Sequence, residues 1–413
     1  MLGQDDFGIS CATENFRENT VKVRFFSTML ATVAVSASLV LPLAKAAALE
    51  KETWLGLPVE AASQEYTWHS GVALELSKVK VQTTTPMTVD KVWLTPDWAD
   101  WLTKFRTSHV RASTGEIVAR PSSLVRLGRI DGPSSRIVTR LEFTGLKLLF
   151  GTSQLDLPGG EMRFSKSGEL SVIRVVADKM TIELMPHPDG KLGVLVQTGN
   201  FKWPLLPAFE FDDVAAQGEI SDDVITLDKI GASGPDGAIS AALRLVAAGQ
   251  FQLEGTARME GMHAESVIER LYRRGVVTGL LTGDFKFSAQ GDSLESLPQS
   301  LQVEGDYKVT NGVLDKFGLL EGMRRREAGV VGGGQIRFDS INGKFKGVAG
   351  QPAQVDFQGL KSGALHGSSN FTVTPDGKLN GAALGFLQLP GGESVSRTFQ
   401  LSGTVSAPVL TTR

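Results

Sequence analysis

Five histidines, His69, His109, His187, His263 and His366, are scattered along a 413-residue chain. None has a histidine or cysteine at metal-ligand spacing. The adjacent carboxylates Asp212-Asp213 and Asp222-Asp223 have the chemistry of a glycosidase acid pair or of oxygen ligands for calcium. Aspartate is also favoured where a strand meets a turn, because its carboxylate bonds the local backbone. The sequence reading places both pairs at such junctions. Gly329 to Gly334 lacks the patterns that cradle phosphate and leads into a strand-like stretch rather than a helix. Ser402-Gly403-Thr404 has no nucleophile-elbow context. The expectation is a non-enzymatic protein with no cofactor, no metal site and no catalytic residue.

Charge narrows the partners. With 42 basic and 45 acidic side chains the net charge is −3, which argues against nucleic acid, whose binding needs a concentrated basic face. The run Arg324-Arg325-Arg326 reads as a solvated helix end that complements the helix dipole, with an anionic-headgroup site as the alternative. Cys11 is the only cysteine, so the chain beyond it has no disulfide and no cysteine-based metal site. Twenty uncharged residues run from Phe25 to Ala44, preceded by Lys22 and Arg24. Pro42 and Ala44-Lys45-Ala46 fit a small-x-small cleavage site. Residues 1–46 therefore read as a signal peptide, or as an N-terminal membrane anchor spanning 25–44. Both readings place the remainder in the periplasm.

Most of the chain alternates apolar and polar residues, the mark of strands with one buried face. Leu141-Glu-Phe143, Met162-Arg-Phe164, Met180 to Leu184 and Leu192 to Val196 follow one another, with turns at Lys166-Ser-Gly168 and Pro188-Asp-Gly190. Two short amphipathic helices interrupt them. One is expected over 96–105, with Thr95 as N-cap, Pro96 first and Trp98, Trp101, Leu102 and Phe105 on one face. It reads as a cap on a sheet edge or as a membrane contact. The other is expected over 264–274, with Val267, Ile268, Leu271 and Tyr272, stopped by Gly275. The prolines of Phe201 to Pro207 mark a crossing loop, dividing an N-terminal β-rich region, 47–204, from a C-terminal β domain, 205–413. The fold class is mainly β, a long antiparallel meander curled into an elongated groove or open sandwich with two or three short capping helices.

Within the C-terminal part, Leu301 to Val309 is followed by a turn at Thr310-Asn311-Gly312. Then come Val313-Leu314, a short helical piece ending in Arg324-Arg325-Arg326, a glycine link at Gly332 to Gly334, and further hairpins. This order resembles the C-terminal domain of the AsmA family. The closing Phe399 to Val409, with its Ser-Gly-Thr-Val-Ser-Ala-Pro, resembles that family's finish, and the likeness covers about Leu205 to Leu410. The resemblance implies kinship with bridge-like lipid-transfer proteins of the Gram-negative envelope. It implies a role in moving phospholipid and supporting outer-membrane assembly, and an N-terminal helix kept as an inner-membrane anchor. A count of about 17 strands at ~4.8 Å gives a groove of roughly 80 Å. That is too short to bridge the envelope alone, so inner-membrane or periplasmic protein partners, or a shuttle role, are expected.

The residues expected on the apolar inner side are Phe285, Phe287, Tyr307, Val309, Ile336, Phe338, Phe345, Val355, Phe357, Phe371 and Val373. Two readings of that side stand. It is a groove filled by phospholipid acyl chains, or it is the dry core of a closed periplasmic scaffold.

Overall fold

The structure is a computed structural model that describes residues 52–54, 57–69, 72–82, 87–96, 109–127, 137–165, 168–202, 210–272, 275–325 and 327–412. Residues 53–413 form one compact unit. The apolar segment 25–44 and residues 97–105 of the first expected helix lie outside the described residues. No helix among the described residues is long and apolar enough to cross a membrane.

Twenty-four described strands join in one sheet, a long meander that does not close on itself. In the first part lie β1 (Glu52–Trp54), β2 (Leu57–Glu60), β3 (Ser63–Trp68), β4 (Val72–Val81), β5 (Met87–Pro96) and β6 (His109–Ala119). Helix α1 (Pro121–Arg126) follows, then β7 (Ile137–Phe150), β8 (Ser153–Phe164), β9 (Leu170–Ala177), β10 (Met180–Pro186) and β11 (Leu192–Lys202). The middle holds β12 (Glu210–Ile220), β13 (Val224–Gly234), β14 (Gly237–Ala248), β15 (Gln250–His263), α2 (Ala264–Tyr272) and β16 (Leu280–Gly291). A 3₁₀ turn (Leu294–Ser300) precedes β17 (Gln302–Asp315), α3 (Leu319–Arg324), β18 (Gly329–Val331) and β19 (Gln335–Val348). The chain continues through β20 (Ala353–Ser362), β21 (Leu365–Val373), β22 (Leu379–Gln388), β23 (Ser394–Thr404) and β24 (Ala407–Thr412).

From β7 to β17 each strand pairs antiparallel with the next, as short hairpin turns require. The β10–β11 turn is typical: His187 N–H donates to Lys191 O at 2.9 Å, and Gly190 takes φ +90°. Later the pattern skips. β17 pairs with β19, and β18 instead lies against the last strand, β24. The segment between β17 and β19, carrying α3, therefore crosses the apolar face.

Two short helices fill the two ends of that face. At one end Leu124, Val125 and Leu127, in and after α1, are 0–3% exposed within a cluster drawn from β2 to β12. At the other, Leu319, Met323 and Val331 are 1–5% exposed among Phe338, Phe399, Leu401 and Leu410. Arg397 fixes the α3 C-terminus by donating from Nη1 to the carbonyls of Gly322 (2.9 Å) and Arg325, which satisfies carbonyl groups that a helix end leaves free.

Three expectations are corrected, and one strand pair departs from the antiparallel rule that the rest of the meander follows. Thr95 and Pro96 are the last residues of β5, paired with Arg111 and Val110. The buried alternation of Val92 and Leu94 carries the strand to its end, where proline is tolerated. Asn311 does adopt φ +53°, but the chain does not reverse there. Gly312, Val313 and Leu314 go on pairing with Phe338, Arg337 and Ile336, so a single left-handed residue kinks β17 instead. Asp212 and Asp213 lie inside β12, both exposed between buried Phe211 and Val214. Asn200, between the β11 partners of Asp213 and Phe211, takes φ +53°. Finally, β6 and β7 run parallel. A parallel pair needs a crossover rather than a hairpin, and the connection through α1 supplies it.

Candidate apolar binding face

Cross-strand register builds the site. One row of the apolar face reads Ala241, Ala257, Phe285, Gly305, Phe345, Val355, Phe371 across β14 to β21. The row on one side holds Gly255 opposite Phe287. On the other, Gly283 pairs with Tyr307, Tyr307 with Gly343, and Gly343 with Phe357. Aromatic and glycine positions thus alternate like a checkerboard. Each ring leans over a neighbouring glycine. A β-carbon on Gly305 would lie 2.7 Å from Phe285 Cδ1, and one on Gly343 2.6 Å from the Tyr307 hydroxyl. The rings lie along the sheet because the glycines leave room there, the arrangement in which an aromatic shields an otherwise bare backbone.

The structure divides the eleven expected residues. Val309, Ile336, Phe338 and Phe357 are buried in the C-terminal cluster, and Val373 is 5% exposed. Tyr307 and Phe371 pack partly against that cluster, Phe371 meeting Phe357 edge-on at 6.4 Å. Burial pushes the Tyr307 phenol pKa up, and the Asp356 carboxylate adds to the shift. Phe287 packs instead towards Phe251, Leu297 and Phe150. Phe285, Phe345 and Val355 are partly exposed and, among the described residues, belong to none of the five packed clusters. They are the middle of the face, between its two filled ends.

The opposite face is charged. Arg258 meets Asp284 at 3.3 Å, and Lys346 meets Glu304 at 3.8 Å. A shallow depression of about 910 Å³ is lined by these residues with Lys286 and Lys344, and also by Ala241, Ala257, Phe285, Gly305 and Phe345 of the apolar row. Signs alternate along it, and exposed pairs of this kind add little stability.

Asp222 has a role that the sequence does not announce. It lies in the β12–β13 turn, and its carboxylate accepts from Ser122 N–H (2.9 Å) and Ser122 Oγ–H (2.7 Å) at the start of α1. Its carbonyl accepts from Gly151 N–H at 2.9 Å. The carboxylate caps a helix about a hundred residues away, while Arg120 at the local N-cap makes no side-chain cap bond.

No protein-family model, no curated protein and no solved structure matches this chain.

Proposed function

We propose that this protein is a non-enzymatic component of a Gram-negative envelope that holds phospholipid acyl chains on the central apolar face and supports outer-membrane assembly or homeostasis. The observation that carries this reading is the unclustered row Phe285, Phe345 and Val355, lying between ends that α1 and α3 fill. Phe285, Phe345 and Val355, with Gly305 between the first two, give extended methylene chains a floor between the packed ends. The resemblance to the AsmA family supplies the lipid class and the periplasmic location, and protein partners would extend the path to a second membrane. The second reading, a periplasmic scaffold, is favoured by the burial of Val309, Ile336, Phe338, Phe357 and Val373.

Native mass spectrometry with lipid extraction, on protein purified without detergent, tests the choice. Co-purifying phospholipid is expected, and Phe285→Asp with Phe345→Asp removes it while far-UV circular dichroism and Tm hold. A lipid-free protein that also binds no hydrophobic dye overturns the reading and leaves the scaffold.

A further inference from the structure

A sheet that does not close ends in edge strands, each with a row of unpaired backbone N–H and C=O groups. At the C-terminal end that row is broken up. β24 is flanked over 410–412 by β18, which is three residues long. Arg325 Nη1 already donates to Val330 O at 3.2 Å, and Lys316 Nζ to Ser406 O at 3.3 Å. Ser394 to Thr398 of β23 run past the end of β24, but Arg397 among them is tied to α3. Short strands and edge cations are devices by which sheets avoid joining one another.

β3, at the other end, has none of these devices. Among the described residues it pairs only with β4, in unbroken register from Ser63 opposite Ser77 to Trp68 opposite Val72, while β1 lies against β2. Its six residues, Ser63-Gln-Glu-Tyr-Thr-Trp68, include no lysine, proline or glycine. Gln64 and Tyr66 stand opposite Leu76 and Leu74, both buried in the N-terminal apolar cluster. Gln64, Tyr66 and Trp68 therefore lie on the apolar face, where Tyr66 is 50% and Trp68 80% exposed. Glu65 lies on the charged face opposite Glu75, which Lys91 meets at 2.6 Å.

We propose that β3 is an interface between two copies of this chain, whose β3 strands pair antiparallel about a two-fold axis at Tyr66. A clean edge at one end only points to two-fold rather than head-to-tail association. Register and charge then fix the axis. Directly opposite residues share a face, so keeping both apolar faces on one side requires an axis through a residue. At Glu65 it would oppose two carboxylates, which is unfavourable. At Gln64 it would bring the partner's Trp68 beside Glu60, on the side of β2 where β1 lies. At Thr67 only residues 66–68 would pair. At Tyr66 residues 64–68 all pair: Tyr66 with the partner's Tyr66, Gln64 with the partner's Trp68, and Glu65 with the partner's Thr67. The two apolar faces then run into one another on the same side of one sheet. The pairing stands on this edge alone and holds whether or not the face carries lipid.

The test uses the full chain with Cys11→Ser, which leaves no native thiol. Opposed residues of an antiparallel pair have Cα atoms about 4.5–5.5 Å apart, a span that a disulfide bridges. Under mild oxidation Tyr66→Cys should link two chains about tenfold faster than Gln64→Cys, whose two copies would lie four residues out of step, roughly 13 Å along the strand. Sedimentation of the thiol-free protein should show a concentration-dependent dimer. Tyr66→Lys, which opposes two cations at the axis, should abolish it, and Glu65→Lys should keep it, with Tm unchanged in both. A monomer at every concentration overturns the proposal, as does a dimer that survives Tyr66→Lys or is lost equally with Glu65→Lys. Equal disulfide yields at positions 64 and 66 mark random collision and overturn it too. A disulfide from Tyr66→Cys to a different protein, with no homodimer, overturns the pairing of two copies and gives the edge to a foreign strand.

Discussion

The ring of Phe287 occupies the space that a side chain on Gly255, its register partner across β15 and β16, would need. The same relation joins Phe285 to Gly305 and Tyr307 to Gly343. The glycines of the central strands are therefore half of a packing unit. A ring lying flat covers two backbone positions and keeps the face low.

Enlarging Gly255 should break this unit. Gly255→Val is expected to lift the Phe287 ring and cost about 1–3 kcal/mol, the usual range for overpacking a well-filled site. Urea unfolding of the single variant and of the double variant with Phe287→Ala checks it. The double variant should recover part of the loss, since the two residues compete for one volume and their effects do not add.

Asp222→Ala should cost about 1–2 kcal/mol through loss of the cap on α1. Asp222→Asn keeps one acceptor for Ser122 N–H and should cost less. Hydrogen exchange over 121–127 should rise in both, in the same order. If exchange in α1 does not change, the carboxylate is not what holds that helix.

The β21–β22 turn carries a pH-dependent element. Hydrogen bonds from Lys378 and then from Thr374 hold the Asp376 carboxyl down at about 2. A carboxylate whose folded value is depressed contributes stability that is fully present above its usual value of about 3.9 and is lost as pH falls through the folded value. The turn should therefore loosen between about pH 4 and pH 2. Carboxyl chemical shifts of Asp376, and amide exchange at Lys378 with and without Asp376→Asn, follow the change. The Asn variant should show no transition in that window.

Much of the fold is legible in the residues because a meander is a local structure. Turns such as Pro188-Asp189-Gly190 are set by neighbouring residues, and from β7 to β17 each strand pairs with the next. The helix at Ala264 is legible for the same reason, through the spacing of Val267, Ile268, Leu271 and Tyr272. What escapes the pattern depends on partners distant in sequence. Pro121 at the start of α1 signals a helix, but only Asp222, far along the chain, caps it. Asn311-Gly312 has hairpin composition, and whether such a pair turns or merely kinks a strand is decided by the strand opposite. In the same way alternation puts Phe338 and Phe285 on one face, yet only the crossing of α3 buries the first and leaves the second in the open middle.

That crossing also imposes an order on synthesis. β18 at 329–331 finds its only described strand partner in residues 410–412 of β24, and Gly329 bonds Thr412 across a separation of 83 residues. At ~5–20 residues per second a ribosome needs on the order of 4–17 s to make the intervening chain. During that interval Leu319, Met323 and Val331 lack the part of their cover that Phe399, Leu401 and Leu410 of β23 and β24 supply. The C-terminal end of the sheet can seal only when its last strand is in place. A nascent chain of this protein is thus a natural client for whatever shields apolar segments until folding is complete.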